Sequence, residues 1–274
     1  MIGLARSRHA VRRPPRPLVN LGCGRSRHPD WTNCDLEPAG PDVIACDVRR
    51  PLPFEPASCD AVYAAHVLEH LTPGEARRLV AEIHRVLRPA GIVRIVVPDL
   101  EGIARAYLAS LERAAATDSP EHHWQHRWMT LELLDQLVRD SSGGLMRRWW
   151  SCDPVPARGF IEDRLGEEAT AGIAAVAAER EAVGREPAEP ETIFASEPAA
   201  ARAKARFADR GELHRWMYDR VSLERLLFDA GFRDLGPTHA AASRIPGFAA
   251  ACLDTTTDGR PRKPDSLYVE GVRP

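Results

Sequence analysis

From residue 18 to residue 98 short apolar runs alternate with turn residues. Leu18-Val19-Asn20-Leu21 reads as a buried strand ended by Gly22. Asn33 to Leu36, Val43 to Cys46, Ala61 to Ala64 and Ile92 to Val97 read as the next four strands. Between the last two lies the clearest helix of the chain. Thr72-Pro73-Gly74-Glu75 has the spacing of a capping box with proline at the first helical position. Leu79, Ile83, Val86 and Leu87 recur on one face, and Pro89 with Gly91 stops the helix. Strand, helix, strand with apolar strands predicts a parallel sheet and an α/β fold.

Beyond residue 100 the pattern changes to mostly helical. Trp124, Trp128, Trp149 and Trp150 fall close together, and Gly166 to Arg206 reads as a helix, a Pro-Glu linker (Glu186 to Glu191) and a second helix. From about residue 216 the α/β pattern returns. Ser222 caps a helix from Leu223 to Ala230, Gly231 ends it, a strand follows near Phe232, and Ser266 to Val272 forms the last one. The chain therefore divides into a basic arm (1–17), a core (18–100), a mainly helical insertion (101–215) and a C-terminal part of the core (216–274).

Composition narrows the partners more than the fold. With 37 basic and 39 acidic residues among 274, the net charge of −2 argues against a nucleic-acid binder. No apolar run approaches the roughly 18 residues of a membrane span. Of the basic residues 35 are arginine, a bias that makes arginine-rich stretches weak evidence of anion binding. Six cysteines without a C-x-x-C pair, and an N-terminus without an apolar signal segment, point to reduced thiols and a cytoplasmic enzyme.

Chemistry begins where the first strand ends. Gly22 and Gly24 in Leu21-Gly22-Cys23-Gly24 let the backbone approach a ligand closely. The third glycine of a dinucleotide fingerprint is replaced by Arg27, which disfavours a pyrophosphate there. Asp35 ends the second strand, where an acid accepts ribose hydroxyls. Asp47 ends the third, within reach of an adenine amino group. All stand at the carboxyl edge of a parallel sheet, where such folds bind ligands.

LVNLGCG, Asp35, CDVRRPLPF, DAVYAAHVLEHL and HRVLRPAGIVRIVVPDL together resemble the class I S-adenosylmethionine-dependent methyltransferases of the type 11 group. The resemblance extends to HRWMYDRVSLERLLFDAGF and RKPDSLYVE, and WMTLELLDQLVRDSSGGLM resembles the insert of uncharacterised members. It implies a Rossmann-like sheet, mostly parallel with an antiparallel last strand, and S-adenosyl-L-methionine as cofactor. It also implies that Gly22 and Gly24 contact the methionine part, Asp35 the ribose and Asp47 the adenine with Val48 beside it, that Cys23 and Leu36 belong to the same cofactor site, and that the segment near His66 faces the methyl group.

One departure stands out. Ten residues separate Gly24 from Asp35 and six separate Leu36 from Val43, whereas a helical crossover needs at least about 10–12. The first two helices must be clipped, so the arm, the insertion or a partner subunit is expected to cover that sheet face, and a homodimer is compatible with this.

His66-Val67-Leu68-Glu69-His70 also fits the inverted zinc-peptidase spacing. That mechanism needs both histidines on one helix face, whereas this segment is a strand-to-helix corner, so no metal is expected. His122 and His126, spaced four apart, read as a polar helix face. An oxygen acceptor needs its proton removed; His66 is the first candidate for this and His70 the second, with His126 and His214 behind them. The acceptor is expected against the insertion, at Trp128, Asp135, Gln136 and Arg139, unless the tryptophans simply pack it onto the core. The reading is a methyltransferase acting on a small molecule such as a glycan, glycoconjugate or secondary metabolite, with oxygen favoured over nitrogen. Its alternatives are a non-catalytic cofactor-binding protein and, less favoured, a nicotinamide-dependent dehydrogenase.

Overall fold

The computed structural model describes residues 17–195, 207 and 212–274. Most of the N-terminal arm and the second helix expected before Arg206 lie outside the described residues.

Seven strands form one sheet: β1 (Leu18–Leu21), β2 (Thr32–Asp35), β3 (Val43–Ala45), β4 (Cys59–Ala65), β5 (Leu87–Pro98), β6 (Arg233–Thr238) and β7 (Ser266–Val272). Their order is β3-β2-β1-β4-β5-β7-β6. The first five pair in parallel, and β7 runs antiparallel between β5 and β6. Strand order reverses between β1 and β4, the crevice where ligands of doubly wound sheets bind. The expected strands are all present, with small shifts at their ends. β2 and β3 stop one residue early, leaving Leu36 and Cys46 beyond the ladder.

Helix α1 (Pro73–Val86) follows the predicted capping logic. The Thr72 hydroxyl accepts from the Glu75 amide, and the Glu75 carboxylate accepts from the Thr72 amide. Leu79, Ile83 and Val86 are buried against the sheet. The helix ends before Pro89 is reached, because Leu87 already pairs with Cys59; the Arg88–Gly91 stretch is absorbed as a register shift at the start of β5.

The insertion contains α2 (Leu100–Ala116), α3 (Pro120–Val138), α4 (Gly144–Trp150), α5 (Arg158–Leu165) and α6 (Glu167–Ala182). These pack around their own cluster of Ile103, Trp128, Met129, Met146, Trp149 and Ile161. Helix α7 (Arg220–Asp229) begins earlier than predicted. Asp219 caps it by accepting from the Ser222 amide, and Ser222 is the reciprocal partner inside the first turn rather than the cap. No helix longer than a membrane requires is apolar enough to cross one among the described residues.

Neither the β1–β2 nor the β2–β3 connection contains a helix, as the short spacings required. The cover over that face comes from an unexpected source. The β6–β7 connection, with the short helix α8 (Phe248–Ala251), lays Ile245, Phe248 and Leu253 over Tyr63, Val96 and Tyr268, and Trp31 of the first loop joins them. Trp31, Tyr63 and Phe248 meet at centroid distances of 5.4 to 6.1 Å. The fully buried Arg94 fastens this cover. Its Nε donates to Asp254 (2.7 Å), its Nη1 to Glu270 (2.9 Å) and Ala242 carbonyl oxygen (2.8 Å), and its Nη2 to His239 carbonyl oxygen (3.0 Å). Every charge in that group has a partner, the condition for burying it without a large penalty. The face expected to need the arm, the insertion or a second subunit is thus filled by the chain's own C-terminal part. Among the described residues the short edge strand β3 stays open, with Ile44 exposed.

Candidate active site

The loop after β1 is built without a helix to hold it, so side chains do that work. Asn20 donates to Ser26 carbonyl oxygen (2.9 Å) and to Asn33 Oδ1 (3.1 Å), and Gly24 N–H donates to Asp35 Oδ2 (2.8 Å). Gly22 (φ 64°) and Gly24 (φ 49°) lie in the left-handed region. A Cβ on Gly22 would stand 2.4 Å from Val67 Cγ2, whereas one on Gly24 would meet nothing within 4 Å. The first glycine is demanded by packing against the end of β4; the second leaves its backbone open to the crevice.

Two cavities meet at this edge. The larger, about 300 Å³, is lined by Gly22, Asp35, Leu36, Asp47, Val48 and His66, with His70 further along the wall. The smaller, about 220 Å³, holds Gly22, Cys23, Gly24, His66, Lys263 and Ser266 among its walls. All the residues expected to bind cofactor are therefore brought together. Asp35 Oδ1 also accepts from the Glu37 amide (3.0 Å). Asp47 takes two bonds from the Arg49 guanidinium, at 2.8 and 3.0 Å, which hold its carboxyl below the usual range. Leu36 lies between these two acids in sequence and is 50% exposed, an apolar surface on the cavity wall.

His66 borders both cavities. It sits at the end of β4 with φ 53°, a conformation uncommon outside glycine, and its amide is anchored on Val96 carbonyl oxygen (2.9 Å). Its Nε2 lies 3.2 Å from Ser266 Oγ and its Nδ1 3.2 Å from Glu69 Oε1. Glu69 is completely buried. Burial opposes its charge, but the contact with His66 and the nearby His70 and His214 outweigh it and hold the carboxyl at about 2. Burial in turn lowers His70, and lowers His214 to about 3. The zinc-peptidase spacing is not realised as such. His66 occupies the corner and His70 a 3-10 turn (Leu68–His70), so the two do not share a helix face. His122 and His126 instead meet Thr117 and Ser110, joining α3 to α2 and its outgoing loop.

The residues expected to meet the acceptor are placed differently. Trp128 is fully buried inside the insertion, its indole N–H donating to Glu132 (3.0 Å). Asp135 is buried and accepts from the Leu145 and Met146 amides, capping α4. Gln136 carbonyl oxygen accepts from the His214 amide, and Arg139 Nη2 donates to Glu212 carbonyl oxygen (2.6 Å). These four hold the insertion together and bind the irregular segment (212–214) that returns from it, and burial leaves Trp128 no face for a ligand. Sequence reasoning passed over Lys263 and Ser266. One signal was available: Lys263 is one of two lysines in an arginine-dominated chain, and here it pairs with Glu168 at 2.7 Å beside the smaller cavity.

Residues 20–95 match the model of the family described as "Methyltransferase domain". This segment is a methyltransferase domain. None of the curated proteins matches the chain. Among solved structures, similarity extends to a possible histamine N-methyltransferase from Thermotoga maritima (11% identity, 95% of this chain and 84% of that one, TM-score 0.40). A SAM-dependent methyltransferase from Archaeoglobus fulgidus is similar at 12% identity over 94% and 86% of the two chains, with TM-score 0.38. The 1,6-didemethyltoxoflavin-N1-methyltransferase of Burkholderia thailandensis shows 28% identity over 31% of this chain and 46% of that one, with TM-score 0.27.

S-adenosylmethionine is the cofactor of this methyltransferase domain, and the site passes a physical test for it. Acids at the ends of β2 and β3 face one cavity with the half-exposed Leu36 on the same wall, and the glycine backbone opens toward its neighbour. A dinucleotide fits less well. No helix begins in the β1–β2 connection, so no helix N-terminus is available to hold a pyrophosphate.

Proposed function

We propose that the chain transfers a methyl group from S-adenosylmethionine to a small-molecule acceptor that enters the smaller cavity, with oxygen as the accepting atom. The observation that carries this reading is the position of His66 on the wall common to both cavities. In this reading Asp35 takes the ribose hydroxyls, Asp47 and Val48 the adenine edge, Leu36 the face of the base, and the Gly22–Gly24 backbone the methionine end. When bound, S-adenosylmethionine supplies an electrophilic methyl on a positively charged sulfur.

The protein's own part is alignment, exclusion of water and management of one proton. Glu69, ionised and buried, stands behind His66 Nδ1 and favours the tautomer protonated there. Nε2 is then the basic nitrogen, turned toward Ser266 and the smaller cavity, where it can take the proton of an acceptor hydroxyl. His70 is turned away, its Nδ1 against Leu213 carbonyl oxygen (3.3 Å), which makes it the poorer base. Six unpaired cysteines support a reducing, cytoplasmic setting.

Thermal unfolding in the presence of S-adenosylmethionine, S-adenosylhomocysteine and NAD tests the donor, since a ligand of the folded state raises its stability. The first two are expected to raise the transition and NAD to leave it unchanged. With an acceptor found by panel screening, His66→Ala is expected to lower kcat by about 10²–10⁴ while the S-adenosylhomocysteine affinity stays within roughly tenfold. Unchanged turnover in His66→Ala would remove the base from this scheme.

A further inference from the structure

The corner that carries His66 runs into a second group of polar side chains that proton removal does not need. Glu69 and His70 lie on the 3-10 turn, and His214 lies on the irregular segment that leads back from the insertion to the core. The backbone pins the two segments together: Arg215 and Trp216 N–H donate to Glu69 carbonyl oxygen at 2.7 and 3.2 Å. One ligand atom each of Glu69, His70 and His214 lies within 4.8 Å of the others, the one such group among the described residues. The His70 and His214 rings meet edge to face, 4.9 Å between centroids. With Nδ1 of His70 donating to Leu213 carbonyl oxygen, the Nε2 lone pair of that ring is left free.

A second observation is independent of that spacing. The Glu69 side chain is 1% exposed; its Oε1 meets His66 Nδ1 at 3.2 Å, and its Oε2 has no hydrogen-bond partner. The buried Nδ1 of His214 also has no hydrogen-bond partner. A buried carboxylate oxygen and a buried imidazole nitrogen, both without a partner and carried by two residues of this one close group, are costly to leave so unless something fills their coordination.

We propose that Glu69, His70 and His214 bind a divalent first-row transition-metal ion. Two imidazole nitrogens and one carboxylate oxygen form a borderline donor set that suits Zn²⁺, Co²⁺ or Fe²⁺, whereas Mg²⁺ and Ca²⁺ prefer oxygen alone. Ligands bound at zinc distances stand about 3.4 Å from one another, so the group closes on the ion by small side-chain rotations. His70 lines the larger cavity and gives the ion its way in. Bound there, the ion ties the turn after β4 to the returning segment and through it to the end of α3, where Gln136 and Arg139 already hold residues 212 to 214. It would thereby fix the far side of the Glu69 carboxylate that orients His66. This site stands or falls separately from methyl transfer.

The test uses the full chain, stripped with a chelator and titrated with CoCl₂. Saturation at one equivalent is expected, with visible d–d absorption of imidazole-ligated Co²⁺, displacement by Zn²⁺ and a raised unfolding temperature in the presence of either ion. His70→Gln and His214→Gln keep a polar side chain in place and are expected to weaken binding about 100-fold or more each. Far-UV circular dichroism checks that both variants remain folded. Absence of saturable binding in the wild-type chain overturns the proposal on its own. So does undiminished one-equivalent binding in the His70→Gln/His214→Gln double variant.

Discussion

The crevice edge of the sheet and the helical insertion both offered polar and aromatic residues as ligand contacts, and the fold treats them in opposite ways. At the crevice, Asp35, Asp47 and His66 stand at strand ends, where side chains run out of sheet to pair with and turn toward a cavity. In the insertion, Trp128 and Asp135 turn inward, because helices without a sheet beneath them must bury their own core and cap their own ends. A residue's chemistry is the same in both places. Its position relative to the sheet edge decides whether that chemistry faces a ligand or a neighbour.

The sharpest way to break this contrast is Trp128→Ala. Removing a fully buried tryptophan is expected to cost about 3–5 kcal/mol of unfolding free energy, measured by urea denaturation, with S-adenosylhomocysteine affinity little changed in the protein that folds. Full stability combined with lost turnover would return Trp128 to the acceptor. Next in size is Gly22→Ala, whose Cβ would collide with Val67 at a positive φ. Isothermal titration is expected to show a loss of cofactor affinity of about 100-fold, roughly 3 kcal/mol. Wild-type affinity would mean that the loop is not where the cofactor binds. The smallest effect belongs to Arg139→Ala, which removes a charged donor from Glu212 carbonyl oxygen. A loss of about 1.5–3 kcal/mol in stability is expected, with no change in KM for the acceptor; a raised KM at unchanged stability would place Arg139 at the acceptor instead.

Much of the core was legible because its signals are local. Thr72 and Glu75 are three residues apart, and their capping box forms as the spacing requires. The absence of helices after β1 and β2 follows from connections too short to hold them. Ser222 shows the limit of the same logic. It does take part in a capping box, but as the inner partner of Asp219, because either residue satisfies the local pattern and the helix starts at the earlier one. Which residues line the candidate site was legible up to His66. Beyond it, Glu69 was visible only as a letter in a spacing, and His214 joins it from far along the chain.

By itself the sequence determined the strands, the capped helix α1 and the series of glycines and acids at the sheet's carboxyl edge. Periodicity, caps and turns act over a few residues and need no knowledge of what packs above them. Tertiary structure alone decided what covers the second sheet face, which tryptophans are buried and which histidines meet. Those outcomes rest on contacts such as Tyr63 with Asp254, 191 residues apart, and His70 with Leu213, 143 apart. Burial assigns such partners only after the chain has closed, because desolvation depends on everything that packs around a group and not on its neighbours in sequence.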